Sequence, residues 1–419
     1  MRILFISHHY PVDLAKSRQG TFKRMGLFLD ALKGIAELDI LFFTPPEVDT
    51  SPASVDQLEQ TLAAAWQIPS LRLFLHPAPG PSQGKLAQQL RGIGSFYQQN
   101  DFFTDGAKKA QTVARCLDKS QPDLVFAHRL NSLAPLMQLG NDLPPIAFDL
   151  DDIEHIKFMR QIRQPPTRPQ TLLYYLQVPA RLRGELRGIR LATRTFICSE
   201  LDRRYLSDRW HLPGVATVPN AVTIPQPAPL TPEPTLMLIG GYYYYPNLNA
   251  ANFLIEKVWP LVHSARPDAR LIIAGTHPEN IRAYSKGVPG VEFTGFVDDL
   301  DELYARSRVV CCPILSGGGT RVKMIEAAAY GKAIVSTRIG AEGLEMINGR
   351  DFLERDSPRA FADACLELLD DGDRCRTLGK AARNTAIAQY DRTQIVRRIQ
   401  SEIVALSRPT SGQSYAYPV

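Results

Sequence analysis

The sequence predicts an α/β protein made of two doubly wound, parallel-sheet units. Short apolar runs of strand length alternate with amphipathic helical patterns along most of the chain, the signature of successive βαβ units. A proline-rich stretch begins at Val218-Pro219-Asn220 and continues through Pro225, Pro227, Pro229, Pro232 and Pro234, dividing that series in two. A length of 419 residues also exceeds what one ordinary core holds. These observations place an N-terminal domain at 1–218 and a C-terminal domain at 219–389, with a further helix at about 390–408.

In the first half, strands are expected at 3–7, 38–43, 71–75, 124–127, 146–150 and 195–198. Helices are expected through Phe22, Met25, Leu29 and Leu32 and over 107–117. In the second half, strands are expected at 236–239, 271–274, 291–293, 309–315 and 333–336. Closing helices are expected at 356–369, 374–390 and 393–406, and the polar tail at 409–419 reads as disordered. Two such units set their strand ends across a cleft, where ligands of doubly wound sheets bind.

Composition narrows the class. With 44% hydrophobic and 22% charged residues the chain is neither disordered nor membrane-spanning, and no run approaches the ~20 apolar residues needed to cross a bilayer. A net charge of +5 is mild: it suits an anionic ligand or an anionic membrane surface and gives no argument for nucleic acid. Six cysteines without CxxC spacing read as packed thiols, which fits a reducing, cytoplasmic setting. There is no GxGxxG after the first strand, no Gx4GK[ST] and no GxSxG, so the usual dinucleotide, P-loop and serine-hydrolase signatures are absent.

The chemistry is concentrated in Ser316-Gly317-Gly318-Gly319-Thr320-Arg321-Val322-Lys323-Met324-Ile325-Glu326. A glycine-rich turn between a buried strand and a helix exposes backbone N–H groups at the positive end of the helix dipole. Arg321 and Lys323 stand where that dipole disfavours cations, so an anion facing both is expected. Glu326 lies one turn further on. Together they read as a holder for a nucleoside diphosphate. The opposing reading makes the cations solvated charges and pairs Glu326 with Lys323 at i, i+3.

Residues 317–340, with Glu326, resemble the donor-binding segment of family 4 glycosyltransferases. In the same order, Val218-Pro219-Asn220-Ala221-Val222 resembles the family's interdomain segment, Gly295-Phe296-Val297-Asp298 its base-contacting loop, and Gly340-Ala341-Glu342-Gly343-Leu344 its following turn. The resemblance implies the GT-B fold: two Rossmann-like domains facing across a cleft, the last helix returning to the N-terminal, acceptor-side domain. It implies a retaining transfer of sugar from a UDP-, GDP- or ADP-linked donor to the hydroxyl of a glycan, lipid-linked or small-molecule acceptor, without a metal or other cofactor. Arg321 and Lys323 would stabilise the leaving diphosphate. Gly20, Gly241, Gly295, Phe296, Val297, Gly318, Gly319, Thr320 and Glu326 would line the donor, Glu326 accepting from ribose hydroxyls.

The sequence departs from the family at two places. The first of the family's two glutamates is Gly318 here, and the arginine–lysine pair common after the first C-terminal strand is replaced by Gly240-Gly241-Tyr242-Tyr243-Tyr244-Tyr245. Arg321 and Lys323 are expected to substitute for that pair, and the tyrosines either line the acceptor cleft or pack. Asp149 and Asp151, at the end of one N-terminal strand, take the place of a cleft histidine. His128, at the end of another, is either a cleft group or a structural one. Asp149-Leu150-Asp151 also has the form of the metal-binding DxD of GT-A enzymes, although a GT-A enzyme has no need of the second domain. Arg160, Arg163, Arg168, Arg181, Arg183, Arg187, Arg190 and Arg194, interleaved with Leu172, Leu173, Tyr174, Tyr175 and Leu176, could meet anionic lipid or acceptor, or form a solvated face. A sugar-nucleotide epimerase on the same fold and a non-catalytic nucleotide-sugar binder are the rival functions.

Overall fold

Each apolar run becomes a strand buried on both faces, because helices cover both sides of each sheet. The computed structural model describes residues 1–11, 20–78, 106–140, 142–163 and 174–407. Arg168, Leu172, Leu173 and the tail at 409–419 lie outside the described residues.

The N-terminal sheet is formed by β1 (Arg2–Ser7), β2 (Glu37–Thr44), β3 (Leu71–Pro77), β4 (Leu124–His128), β5 (Ile146–Asp151), β6 (Arg194–Ile197) and β7 (Val215–Thr217). Its order is β3-β2-β1-β4-β5-β6-β7, every pairing parallel. The C-terminal sheet holds β8 (Thr235–Ile239), β9 (Arg270–Ala274), β10 (Val291–Gly295), β11 (Val309–Cys312), β12 (Ala333–Ser336) and β13 (Leu353–Glu354). Its order is β10-β9-β8-β11-β12-β13, again wholly parallel. In both sheets the order reverses beside the first strand, between β1 and β4 and between β8 and β11. The carboxyl ends of those four strands therefore open into the crevice where such sheets bind ligands.

The principal helices are α1 (Gly20–Lys33), α2 (Pro52–Trp66), α3 (Gly106–Ser120), α4 (Glu154–Ile162), α5 (Val178–Leu191), α6 (Tyr245–Phe253), α7 (Val322–Ala329), α8 (Pro358–Asp370), α9 (Gly372–Tyr390) and α10 (Arg392–Ser407). Local chemistry marks several starts. Ser357 caps α8 ahead of Pro358, and the Asp371 carboxylate accepts from the Arg374 N–H at the head of α9. No helix among the described residues is long and apolar enough to cross a membrane.

Four details differ from expectation. The strand expected at 309–315 stops at Cys312, because Pro313 has no N–H to continue the ladder. The edge strands β7 and β13 are three and two residues long, too short to show a period. Helix α2 leaves little apolar pattern in the sequence: it opens on Ser51-Pro52 and buries only Leu62 among its interior positions. The proline-rich stretch is a bonded strap: Ala228 N–H donates to Tyr330 O at 2.9 Å, Lys332 Nζ to Pro229 O at 2.8 Å and Arg383 Nη2 to Pro225 O at 2.7 Å.

Helix α10 places Ile395, Ile399 and Ile403 at i, i+4, i+8, and this stripe is buried with Phe28, Leu32 and Phe196 of the N-terminal domain. An Arg392–Asp30 ion pair at 2.5 Å fixes its start. Chain crossings at Val222 and Asp391, which form a parallel bridge, connect the halves.

Candidate functional site

The glycine-rich turn leaves the end of β11 and delivers Arg321 to the N-cap of α7. Gly319 has to be glycine twice over. Its φ is +66°, and a Cβ there would fall 1.8 Å from Asp152 Oδ1 of the opposite domain. Arg321 Nη1 donates to Gly318 O, whereas its Nε and Nη2 are buried without a hydrogen-bond partner among the described residues. Buried donors left unmade are costly, so their placement needs a reason beyond the fold.

Lys323 extends from the first turn of α7 to the end of β8, where Nζ donates to Asn247 Oδ1 at 2.8 Å. A Cβ on Gly240 would stand 3.0 Å from that ammonium. Lys323 thus reaches the strand end where Gly240-Gly241 stands in place of cations. Burial pushes its pKa down to about 8, and Arg321 adds repulsion. Gly241 takes part through its carbonyl, which accepts from Asn247 Nδ2 at 3.1 Å. Gly295 ends β10 on the same edge of the sheet, followed by exposed Phe296, while Val297 packs against the core under α7. The tyrosine run divides: Tyr242 is buried and donates to Ala274 O at 3.0 Å, while Tyr243, Tyr244 and Tyr245 are exposed.

On the N-terminal side Asp149 and Asp151 are buried and paired and not open to the cleft as expected, and His128 takes the structural one of its two readings. Asp149 is wholly buried, its Oδ1 accepting from Arg24 Nη2 at 2.6 Å and from Nε at 2.9 Å. Burial pushes the Asp149 carboxyl up, to about 6, while Arg24 pulls it back. Asp151 sits at a β-bulge with φ of +63° and pairs with Arg129, itself at φ +71°. Each carboxylate of the DxD-like sequence therefore already faces a guanidinium. Asp151, Asp152 and Cys198 do bring potential ligand atoms within 4.8 Å of one another, but Asp152 lies 3.5 Å from Lys157 Nζ and 4.0 Å from Arg129 Nη1.

His128 is also wholly buried. Its Nδ1 is 3.0 Å from Ser7 Oγ and its Nε2 is 3.9 Å from Asp149 Oδ2. Burial pushes its pKa well down, so it stays neutral beneath the cleft floor. His9, which follows β1, lies nearer the surface and contacts the His128 ring at a 5.3 Å centroid distance. Burial, then the charges of Arg129 and Lys157, lower its pKa to about 4.

The two halves of the site meet through groups that sequence reading missed or misplaced. Lys23, in the first turn of α1 that Gly20 opens, pairs with Glu326. Glu326 therefore does not pair with Lys323. Asn220 Nδ2 donates to Thr320 Oγ1 at 2.9 Å. Arg160 donates to Gly317 O at 2.9 Å and through Nη2 to Glu342 Oε1 at 2.8 Å. Arg160 thus leaves the arginine-rich group and belongs to the cleft; Arg181 stacks over Phe158 at 4.0 Å and Arg194 pairs with Glu402 at 3.1 Å. Beside Gly318 and Gly319, a cavity of about 190 Å³ is lined from both domains, by Ile156, Arg160, Tyr205 and Asp202 among others. Burial raises the Asp202 carboxyl to about 6.

Comparison with known proteins agrees with this fold. Residues 233–371 match the family model for Glycosyl transferases group 1. A phosphatidyl-myo-inositol mannosyltransferase of Mycobacterium leprae is 28% identical over 222 residues, covering 50% of this chain and 59% of that protein. An uncharacterised 44.6 kDa protein of the Klebsiella pneumoniae cps region is 24% identical over 135 residues, 30% of this chain and 35% of that one. The chain thus spans about a third and about three-fifths of the length of these relatives. Among solved structures, sucrose-phosphate synthase of Thermosynechococcus elongatus superposes with a TM-score of 0.69 at 17% identity, over 97% of this chain and 98% of that one. HepE of Anabaena, in complex with UDP and glucose, superposes with a TM-score of 0.61 at 16% identity, over 97% and 100%. The architecture is the GT-B fold of glycosyltransferases.

Proposed function

We propose that this GT-B chain is a retaining glycosyltransferase that moves a sugar from a nucleoside diphosphate to an acceptor hydroxyl. One observation carries the reading: Arg321 holds two buried, unpartnered donors beside Lys323, whose only hydrogen-bond partner among the described residues is the neutral Asn247. A diphosphate supplies the missing acceptors. It also supplies the reason for their strength, because negative charge grows on that group as the sugar departs. A guanidinium and an ammonium fixed in a partly dry site stabilise that charge more than the ground state.

The backbone around Gly318 and Gly319 holds the phosphates, and Glu326 accepts from the ribose after Lys23 yields. Asp149, Asp151 and His128 act as positioning residues, because the two carboxylates are paired with Arg24 and Arg129 and His128 Nδ1 is bonded to Ser7. With those carboxylates neutralised, the departing diphosphate is left to take the acceptor's proton on the face from which the sugar leaves. The base rests on Gly295, Phe296 and Val297, mostly through backbone, and UDP is the first nucleotide to test because HepE holds it. The cavity at Arg160 and Asp202 lies on the acceptor side. The relative named as a phosphatidyl-myo-inositol mannosyltransferase favours a lipid-linked acceptor.

The test is a thermal-shift panel of UDP, GDP and ADP and their sugars, followed by product analysis with the stabilising donor. Arg321→Ala is expected to lower kcat by about 10²–10³-fold with the fold intact. A near-normal rate would sink the assignment. Conversion of donor alone to an isomer would make the chain an epimerase, and stabilisation by donor without transfer or slow hydrolysis would make it a binder.

A further inference from the structure

The C-terminal domain carries a second concentration of unneutralised charge, on the opposite edge of its sheet from the glycine-rich turn. At the amino ends of β11 and β12 a cavity of about 350 Å³ is lined by Arg308, Lys332, Arg376, Lys380 and Arg383. No carboxylate is among its lining residues. The proline strap, through Pro227 and Leu230, supplies an apolar wall, and the size suits a small molecule.

Three of these cations are held in place by carbonyl groups and are not neutralised by them. Arg308 Nε donates to Leu368 O at 3.1 Å, Lys332 Nζ to Pro229 O at 2.8 Å and Arg383 Nη2 to Pro225 O at 2.7 Å. Carbonyl acceptors orient a cation but leave its charge. Among the described residues, only Arg376 of the five has a carboxylate partner, Asp373. Lys332 is 2% exposed, an expensive place for an ammonium without a counterion. On α9, Arg376, Lys380 and Arg383 recur at spacings of four and three, which stacks like charges on one helix face against their mutual repulsion. Two guanidinium groups also converge: Arg308 Nη2 and Arg376 Nη1 lie 3.4 and 3.6 Å from where a Cβ on Gly372 would stand. Paired guanidinium forks with a nearby ammonium match phosphate oxygens.

We propose that this cavity is a second anion site, taking a small soluble organic phosphate with two or more phosphate charges. It rests on none of the donor-site argument. The test uses inorganic pyrophosphate in titration calorimetry on the full chain carrying Arg321→Ala, which disables the first anion site. That chain is expected to retain one pyrophosphate site. Adding Arg376→Glu and Lys380→Glu, both exposed, is expected to weaken it by about tenfold or more with the melting temperature held. If the charge reversals unfold the chain, Arg376→Gln with Lys380→Gln replaces them. Absence of binding to the Arg321→Ala chain, or binding indifferent to these substitutions, overturns the proposal. So does sedimentation with phosphatidylglycerol vesicles that requires Arg376 and Lys380 when pyrophosphate does not bind, an outcome that would assign the patch to a membrane surface.

Discussion

The two walls of the cleft handle charge in opposite ways. On the N-terminal wall, Arg24, Arg129 and Lys157 each meet a carboxylate: Asp149, Asp151 and Asp152. On the C-terminal wall, Arg321 and Lys323 meet a carbonyl and an amide, and Arg321 keeps two buried donors unmade. The N-terminal cations are neutralised by the protein's own carboxylates, even though Arg129 Nε and Asp151 Oδ1 make no hydrogen bond, and this pairing fixes shape. An open network is satisfied only when something anionic arrives, so it marks a site. The contrast separates architecture from function among residues that composition treats alike.

The sharpest break is Arg24→Met. It leaves the wholly buried Asp149 without its guanidinium, and loss of about 3–5 kcal/mol is expected in a denaturant titration. Arg321→Met removes a cation that no carboxylate among the described residues engages, so stability should hold or rise while donor turnover collapses. Equal destabilisation by the two substitutions would erase the distinction drawn between the walls.

The effect of pH comes next. Lys323 has its pKa depressed to about 8 in the folded chain, from an ordinary 10.5, chiefly by burial. Below 8 the folded state carries the full cost of its buried charge; between about 8 and 10.5 that cost fades, because only the unfolded chain still holds the proton. Diphosphate binding runs the other way. A bound anion holds the proton on, so affinity for the nucleoside diphosphate should fall as pH rises through 8, with proton uptake visible by calorimetry in two buffers. Lys323→Met should weaken binding and flatten that dependence; a slope that survives the substitution would place the titration elsewhere.

The smallest expected effect concerns the contact between the walls. Lys23 holds Glu326 and, on the proposed donor reading, has to release it to a ribose. Lys23→Met should therefore lower the donor KM by a few-fold with kcat little changed, an amount in keeping with a partly exposed ion pair. A raised KM would show instead that Lys23 itself touches the donor.

Much of the proposed donor side was legible in the chain because its parts are sequence neighbours. The turn, its glycines, both cations and Glu326 fall within eleven residues, and helical spacing alone gathers them about the start of α7. The sheet cores were legible for a similar reason: β1 and β4 are continuous apolar runs with no exposed position to blur the pattern. The edge strands β7 and β13 left no period to read. Asp149, Asp151 and His128 were correctly placed at strand ends, yet their burial and their partners were not foreseeable.

By itself, then, the sequence determined two parallel-sheet domains and one local glycine-rich turn carrying two cations, since apolar periodicity and backbone geometry act over a few residues. Only the tertiary structure decided which charges are spent and which remain open. Arg24 finds Asp149 across 125 positions, Arg160 finds Glu342 across 182 and Lys23 finds Glu326 across 303. Those pairings follow from how strands are ordered within each sheet and how the sheets face one another, and local sequence patterning does not reach that far.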